Sequence, residues 1–297
     1  MAEQTDPWNN PAFLRDVQYR TDANLAARQS IYAYQQPRFD LPARVLDLAA
    51  PAPGEIVADV GCGNGAYLAE LARRGFAGWV LGLDLSPGML AAARERLTSV
   101  GAAPRSAASN VAAAAAPSVT AAAPLVTAAA AGGVALIGAD ATALPLPDGV
   151  ADLTLAMHML YHVPDPSQAV RELRRVTRPG GRVVIVLNGR DHLRQLRDAV
   201  AAARADGMMR SQRERVTLDD GEALTEPHFS SVTRHDFVSE LRIPEPGPIV
   251  DYVRSMSGTQ HAADPERLVA AVASSLPTAP GAVLTITTHT GCLVCRV

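Results

Sequence analysis

The sequence is poor in several residue types, and each shortage excludes a class of protein. Aromatic residues make up only 4% of the 297 residues, and three cysteines, Cys62, Cys292 and Cys295, are too few for a disulfide framework. Charge of one sign is also scarce, because the formal net charge is only −3. Such a chain has no global positive field to attract nucleic acid or anionic lipid. We therefore expect neither partner.

Long hydrophobic runs are missing as well. No uncharged apolar run approaches the ~18 residues of a membrane helix. The N-terminus has no basic start followed by an apolar core, the pattern of an export signal. We expect a cytoplasmic protein in a reducing compartment, as a monomer or a homodimer. What is present is 48% hydrophobic residues, enough for one large core or for a core with a cap.

The order of elements along the chain indicates a doubly wound α/β fold. Residues 1–50 have helical spacing and predict an N-terminal cap, and residues 51–297 predict one Rossmann-like domain. Its predicted strands are 55–60, 79–84, 134–140, 150–160 and 182–188, separated by helices 66–74, 86 onward and 165–177. Strands separated by helices form a mostly parallel sheet. Two alternating tail segments, 230–241 and 282–295, complete seven strands and predict an antiparallel edge.

Two segments stand apart from this alternation. Residues 101–133 are rich in alanine, carry one charge and are interrupted by Pro104, Pro117 and Pro124, which predicts a mobile surface insertion. Residues 245–275 include the proline-bounded stretch "PGPIVDYVRSM". This second segment is predicted to form part of a lid.

A glycine-rich turn carries the strongest functional signal. In "VADVGCGNG", a buried strand ends in Gly61, Gly63 and Gly65, and a helix follows. Without Cβ atoms the backbone can approach a ligand closely and adopt positive φ. Asp84 ends the next strand, where a carboxylate can bind ribose hydroxyls. The pattern indicates a nucleotide-like ligand, and by letter it also fits NAD or FAD; a P-loop is excluded because no Gly-Lys-Ser/Thr follows.

Four segments together resemble a known family. "VADVGCGNG", "LGLDLSPGM", "GADATALPLPDGVADLTLAMHMLYHVPDP" and "RELRRVTRPGGRVVIV" follow the order of motifs in class I S-adenosylmethionine-dependent methyltransferases, in the subgroup that resembles ubiquinone/menaquinone biosynthesis methyltransferases. The resemblance extends over about residues 54–190. It implies S-adenosyl-L-methionine as cofactor and S-adenosyl-L-homocysteine as product, but the motifs do not specify the methyl acceptor.

The resemblance also implies a role for each matched residue. The cofactor would be held by Asp59 under its methionine end, Gly61, Gly63 and Gly65 beside methionine and ribose, Asp84 with Leu85 at the ribose, Asp140 with Ala141 at the adenine, and Met157 on the methionine side. Apart from the resemblance, the cap tyrosines Tyr19, Tyr32 and Tyr34 could close over cofactor or acceptor, or equally belong to the core; Tyr19 is counted among the cofactor-binding candidates. Asp140 has an alternative reading as a turn cap before Thr142.

Residues that follow the fourth strand are candidates for catalysis. His158, Tyr161 and His162 lie in "MHMLYHV", where the acceptor would meet the methyl group. His158 is the candidate base, because an unperturbed imidazole has a pKa near ~6.5. All three could instead shape the pocket floor, and for His162 we favour that role. His158 and His162 are four residues apart, but no third ligand of suitable type lies nearby, so no metal site is predicted.

Other readings remain open at this level. An RNA base methyltransferase would use a basic stripe, for which Arg171, Arg174, Arg175 and Arg178 are candidates. An NAD-dependent oxidoreductase would leave Asp59 and Asp140 without a role, and a silent scaffold would not need the glycines. The C-x-x-C pair lies in a predicted strand, where its side chains point to opposite faces. We predict O- or N-methylation of a small molecule. The alanine-, arginine- and proline-rich composition suits a high-GC bacterium that makes secondary metabolites.

Overall fold

The structure is a computed structural model that describes residues 10–104, 132–203 and 216–297, apart from residues 261, 278 and 280. These residues form an α/β fold around a single sheet of eight strands. The predicted alanine-rich insertion, residues 101–133, lies almost wholly outside the described residues. Its mobility therefore stays a prediction.

The sheet confirms the expected class and refines its order. The strands run β1-β7-β8-β6-β5-β2-β3-β4 across the sheet. Their bounds are β1 Gln35–Gln36, β2 Ile56–Val60, β3 Trp79–Asp84, β4 Gly133–Gly138, β5 Ala151–Met157, β6 Thr177–Asn188, β7 Ser231–Ile243 and β8 Leu284–Arg296. Strands β4, β3, β2, β5 and β6 pair in parallel, whereas β8 is antiparallel to both β6 and β7. The antiparallel strand β8 is thus internal, because β7 lies outside it.

Helices connect the strands and cover both faces of the sheet. Their bounds are α1 Pro11–Phe13, α2 Ala23–Ser30, α3 Leu41–Ala49, α4 Ala66–Arg73, α5 Pro87–Ser99, α6 Pro166–Val176, α7 Arg194–Ala203, α8 Leu218–Thr225, α9 Gly247–Ser255, α10 Ser257–Gln260 and α11 Pro265–Ser275. Ser86 caps α5 as predicted, since its hydroxyl accepts a hydrogen bond from the backbone N–H of Met89 and Pro87 opens the helix.

Two apolar layers, one on each face, hold the sheet. Leu68 of α4 and Leu97 of α5 belong to one layer, and Leu173 of α6 belongs to the other. The two tail cysteines divide between them, with Cys292 in the first layer and Cys295 in the second. Both cysteines are buried free thiols, as the alternation of strand side chains predicts.

A third apolar cluster joins the N-terminal helices to the predicted lid. Ile31 of the cap is fully buried in it together with Ile249 and Val253 of α9. Residues of α7, α11 and the ends of β7 and β8 complete the cluster. The cap and the lid helices therefore share one small core beyond the carboxyl end of β6.

Three local predictions need correction. Strand β5 ends at Met157, not at residue 160, because His158 adopts a φ of 55° that extended backbone does not allow. Helix α6 ends at Val176 and β6 begins at once with Thr177, so no separate Pro-Gly-Gly cap follows; the register with β5 shifts there instead. The cap is also not purely helical, since β1 pairs with β7 at the sheet edge.

Candidate active site

The glycine loop between β2 and α4 has the geometry that its sequence predicts. Gly61, Gly63 and Gly65 have φ values of 70°, 54° and 73°. A Cβ on Gly61 would lie 2.7 Å from the Cβ of Met159, and one on Gly65 would lie 3.0 Å from the Cβ of Ala93. Glycine is therefore required at these two positions both for the backbone conformation and for space.

Asp84 ties the end of β3 to this loop. Its Oδ2 accepts a hydrogen bond of 2.8 Å from the N–H of Gly63, and its Oδ1 accepts one of 2.8 Å from the N–H of Ser86. Burial raises the pKa of Asp84, and these two bonds offset part of that rise. The carboxylate is fixed where the carboxyl ends of β2 and β3 meet.

Asp59 is a fully buried carboxylate of β2, and neither of its oxygens has a hydrogen-bond partner among the described residues. Burial, followed by the nearby charge of Asp84, raises its pKa to about 8. An unpaired carboxylate in such a place is costly unless a positive or hydrogen-donating group reaches it. Asp59 lies behind the glycine loop and does not line the cavity described below.

Asp140 and Ala141 follow β4 in a tight turn. The Oδ1 of Asp140 accepts hydrogen bonds from the N–H of Thr142 at 2.8 Å and from its hydroxyl at 2.7 Å. The turn-capping reading of Asp140 is thus observed, while the residue also lines the cavity together with Ala141. One carboxylate oxygen serves the turn, and the role toward a ligand stays a prediction.

The segment after β5 places His158 in an unusual position. Its backbone N–H donates to the carbonyl of Val186 on β6 over 2.9 Å, which holds the residue at positive φ. The Nδ1 atom is buried and has no hydrogen-bond partner in the structure. Burial lowers the pKa of His158 to about 4, so the imidazole is neutral at physiological pH.

His162 and Tyr161 pack against the cap. The hydroxyl of Tyr19 and the Nε2 of His162 are 2.9 Å apart and share a hydrogen bond. The ring of Tyr161 meets the ring of His162 edge to face, with centroids 4.6 Å apart. Tyr19 is held from the other side by the hydroxyl of Ser86, which donates to its carbonyl over 2.7 Å. This contact network supports the positioning role expected for His162.

One cavity of about 950 Å³ brings most of the predicted residues together. Its walls include Tyr19, Gly61, Gly63, Asp84, Leu85, Asp140, Ala141, Met157, His158, Tyr161 and His162. Of the predicted set, Asp59 and Gly65 do not line it. Both lie next to residues that do, so they shape the wall from behind.

Sequence reasoning missed a second group of cavity residues. Arg28 and Tyr252 come from helices of the cap and the lid, and Asn188 and His192 follow the end of β6. Tyr32 lines the cavity as suspected, whereas Tyr34 does not. No motif marks Arg28 or His192, because their neighbours in the cavity come from distant parts of the chain.

Neither a metal-binding group nor a membrane-spanning helix occurs among the described residues. No group of three or more His, Cys, Asp or Glu residues that could hold a metal ion occurs among the parts of the chain that the structure describes. Within the same parts, no helix is long and apolar enough to cross a membrane.

Two arginines of the basic stripe suggested by the sequence form ion pairs with carboxylates of the protein. Arg175 pairs with Glu172 and Asp148, both at 2.7 Å, and Arg178 pairs with Asp152 at 2.5 Å. These ion pairs lie within α6, between α6 and the loop before β5, and between the starts of β5 and β6. The stripe therefore gives no support to an RNA-binding surface.

Comparison with known proteins agrees with this geometry. A family model described as a methyltransferase domain matches residues 58–185. An uncharacterized methyltransferase of Mycobacterium tuberculosis is 31% identical over 239 residues, which cover 80% of this chain and 79% of that protein. A malonyl-[acyl-carrier protein] O-methyltransferase of Serratia marcescens is 28% identical over 74% of this chain and 69% of its own length.

Solved structures show the same fold. The phosphoethanolamine N-methyltransferase 2 of Haemonchus contortus, crystallised with phosphomonomethylethanolamine and S-adenosylhomocysteine, superposes with a TM-score of 0.53 at 18% identity. The match covers 97% of this chain and 60% of that one. Because the methyltransferase domain model and the Mycobacterium relative both match, and the glycine loop has the expected geometry, the chain belongs to the S-adenosylmethionine-dependent methyltransferase family.

Proposed function

We propose that this enzyme transfers a methyl group to an oxygen or nitrogen atom of a small organic molecule. The observation that carries the proposal is the single cavity of about 950 Å³, which joins the glycine loop to a polar pocket under the cap. Sites for small ligands have volumes of roughly 300–1,000 Å³. The relative from Serratia, by its name an O-methyltransferase, supports oxygen as one acceptor atom.

The residues present fit S-adenosylmethionine. Gly61 and Gly63 line the cavity with backbone and no side chain, and Asp84 ends β3 beside them. Asp59 is a buried carboxylate without a partner, which suits the ammonium group of the methionine end. On this proposal, Asp84 with Leu85 binds the ribose, Asp140 with Ala141 lies at the adenine, and Tyr19 and Met157 cover the methionine side.

The protein contributes position and shelter to the reaction. When bound, S-adenosylmethionine supplies a methyl group on a positively charged sulfur, and transfer needs the nucleophile in line with it. Tyr19 and Tyr161 wall the space between the cap and the end of β5. A closed wall excludes water, which would otherwise compete with the acceptor and weaken every electrostatic contact.

His158 is the proposed proton acceptor. It lines the cavity at the end of β5, is neutral at physiological pH, and has an imidazole nitrogen without a partner. An O–H or N–H acceptor that loses its proton during transfer could give it to this imidazole. Since burial disfavours imidazolium, the proton would have to leave His158 before the next turnover. We place the reaction in the cytoplasm, in secondary metabolism.

Calorimetric titration tests the cofactor half of the proposal. The wild type is titrated with S-adenosylmethionine, S-adenosylhomocysteine and NAD, and the same ligands are added to Asp84→Ala and to Asp198→Ala, an exposed carboxylate control on α7. We expect the first two ligands to bind the wild type and the control, and Asp84→Ala to lose most of that affinity. Binding of NAD alone would overturn the proposal.

A further inference from the structure

Arg28 places a positive charge in the wall of the cavity. It lies on α2, and its guanidinium carbon is 5.4 Å from the centroid of the Tyr19 ring. Its Nε donates to the carbonyl of Asn24 over 3.1 Å, but its Nη2 is buried and has no hydrogen-bond partner in the structure. A buried donor of a charged group that remains unpaired costs free energy. Such an atom points to a missing acceptor.

No carboxylate of the described residues pairs with Arg28. The three aspartates that line the cavity are engaged on their own loops: Asp40 accepts from the N–H of Ala43, Asp84 from Gly63 and Ser86, and Asp140 from Thr142. Burial by itself lowers the pKa of Arg28, yet the net pKa remains above the ordinary value of arginine, so the guanidinium is charged at neutral pH.

Tyr32 supplies a second donor, and a chain of hydrogen bonds fixes its direction. The backbone N–H of His289 on β8 donates to the Nδ1 of His192 over 3.2 Å. Burial lowers the pKa of His192 to about 3, so the ring is neutral and its proton sits on Nε2. That proton is donated to the hydroxyl oxygen of Tyr32, 2.9 Å away. The hydroxyl proton of Tyr32 is then left for another acceptor.

The two donors belong to one region of the cavity. Arg28 lies in the last turn of α2, and Tyr32 lies four residues later in the short helical turn that follows it directly, so both side chains belong to one continuous helical segment. Both line the same cavity. A guanidinium beside a hydroxyl donor is a typical arrangement for binding carboxylates and phosphates.

We infer that Arg28 and Tyr32 form a subsite for an oxyanion of the methyl acceptor, so that the substrate is a small molecule bearing a carboxylate or a phosphate group. This inference rests on the proposed function. It narrows the substrate class from any small nucleophile to an anionic one. Arg28 becomes a specificity-determining residue, and Tyr32 orients the same group.

The position of the subsite favours the acceptor over the carboxylate of the cofactor itself. Tyr32 is tied through His192 to the end of β6 and to β8, on the far side of β5 from the glycine loop. The tyrosines around Arg28 come from the cap, the segment after β5 and the lid. The glycine loop, Asp84 and Asp140 lie at or after the ends of β2, β3 and β4, whereas Tyr19, which the Arg28 guanidinium contacts, belongs to the cap.

The test compares matched anionic and neutral phenols. The protein, saturated with S-adenosylhomocysteine, is titrated with 4-hydroxybenzoate, 4-hydroxyphenyl phosphate and the uncharged 4-hydroxybenzamide. We expect at least one anion to bind about tenfold or more tightly than the amide, since charged hydrogen bonds contribute on the order of ten- to hundredfold in affinity. The anion that binds with the higher affinity identifies the preferred group of the substrate as a carboxylate or a phosphate.

Variants assign the effect to the subsite. Arg28→Met should abolish the preference for anions, Arg28→Lys should retain part of it, and Tyr32→Phe should weaken it several-fold. Arg267→Met removes an exposed charge of α11, and Tyr34→Phe removes a hydroxyl outside the cavity; both controls should keep the preference.

Two results would overturn the inference. One is equal binding of anions and amide by the wild type. The other is an Arg28→Met variant that loses affinity for S-adenosylhomocysteine but not for methylthioadenosine, which lacks the amino-acid carboxylate; the guanidinium would then serve the cofactor. The phenol titrations are repeated without S-adenosylhomocysteine, so a failure of cofactor binding overturns the proposed function separately.

Discussion

The two ends of the cavity are built in different ways. At the glycine-loop end, Gly61, Gly63 and Asp84 are within 25 residues of one another and are fixed by backbone hydrogen bonds. At the cap end, Arg28 and Tyr32 are neighbours in the chain, but His192 comes from a distant segment and meets Tyr32 through a hydrogen bond between side chains. Local backbone geometry thus sets one end, and long-range packing sets the other. We expect a change at the first end to affect cofactor binding, and a change at the second to affect acceptor selection.

The largest effect on cofactor affinity should come from the glycine loop. Gly61→Ala places a methyl group 2.7 Å from the Cβ of Met159 and forces alanine to a φ of 70°. We expect affinity for S-adenosylhomocysteine to fall roughly 100-fold, or about 2.7 kcal/mol, as measured by calorimetry. Gly54→Ala is the matched control, because its φ is 83° and nothing lies within 4 Å of the added Cβ. Equal losses in both variants would refute the role of close approach.

The buried carboxylate should make stability depend on pH. The pKa of Asp59 is raised from 3.8 to about 8, so the folded protein retains a proton that the unfolded chain releases. Stability of the ligand-free protein is therefore full at acid pH and is lost as the pH rises toward 8, by up to ~1.4 kcal/mol per pH unit. Asp59→Asn should remove this slope and stabilise the ligand-free protein at pH 8 by up to ~5 kcal/mol.

Urea denaturation at several pH values measures this effect. Asp198→Asn, a change at an exposed carboxylate, should leave the slope as in the wild type. We also expect Asp59→Asn to bind S-adenosylhomocysteine at least ~10-fold more weakly, since the amide cannot pair with an ammonium group. A variant that gains stability and keeps its affinity would show that Asp59 does not serve the cofactor.

His158 joins the two ends and should affect rate without affecting cofactor affinity. If His158 accepts the proton, His158→Gln should lower kcat by ~100-fold and leave the Kd for S-adenosylhomocysteine unchanged. Because the pKa of His158 is lowered to about 4, kcat should not fall between pH 8 and pH 6 through protonation of this residue. His228→Gln, outside the cavity, is the control. An unchanged kcat would show that His158 shapes the pocket and does not accept the proton.

The smallest effect is expected where the cap touches the end of β5. Tyr19→Phe removes the hydrogen bond between the hydroxyl and His162, 2.9 Å long in the structure. One such bond contributes about 1 kcal/mol, so a roughly fivefold rise in the KM for S-adenosylmethionine is expected. Tyr34→Phe, whose hydroxyl is outside the cavity, should show no rise. An equal KM for S-adenosylmethionine in the two variants would show that the Tyr19 hydroxyl does not contribute to cofactor binding.

Prediction from sequence succeeded where function depends on neighbours in the chain. The sheet class, the cap of α5 at Ser86 and the position of Asp84 at the end of β3 followed from spacing and from the family resemblance. The end of β5 was placed three residues too late, because only the contact of His158 with Val186 on β6 forces its positive φ. The internal place of β8 was likewise not readable, since strand order is set by pairing.

What the sequence determined by itself is the cofactor half: glycines that permit a close backbone approach, aspartates at strand ends, and alternating elements that demand a parallel sheet. These features are local, because dihedral preferences and side-chain periodicity act over a few residues. Only the tertiary structure decided the acceptor half. Arg28 on α2 shares the cavity with Tyr161 and Tyr252, both more than 100 residues away in the chain, and a backbone N–H of β8 fixes the hydroxyl direction of Tyr32 through His192. Such contacts leave no trace in spacing, because folding brings them together across the whole chain.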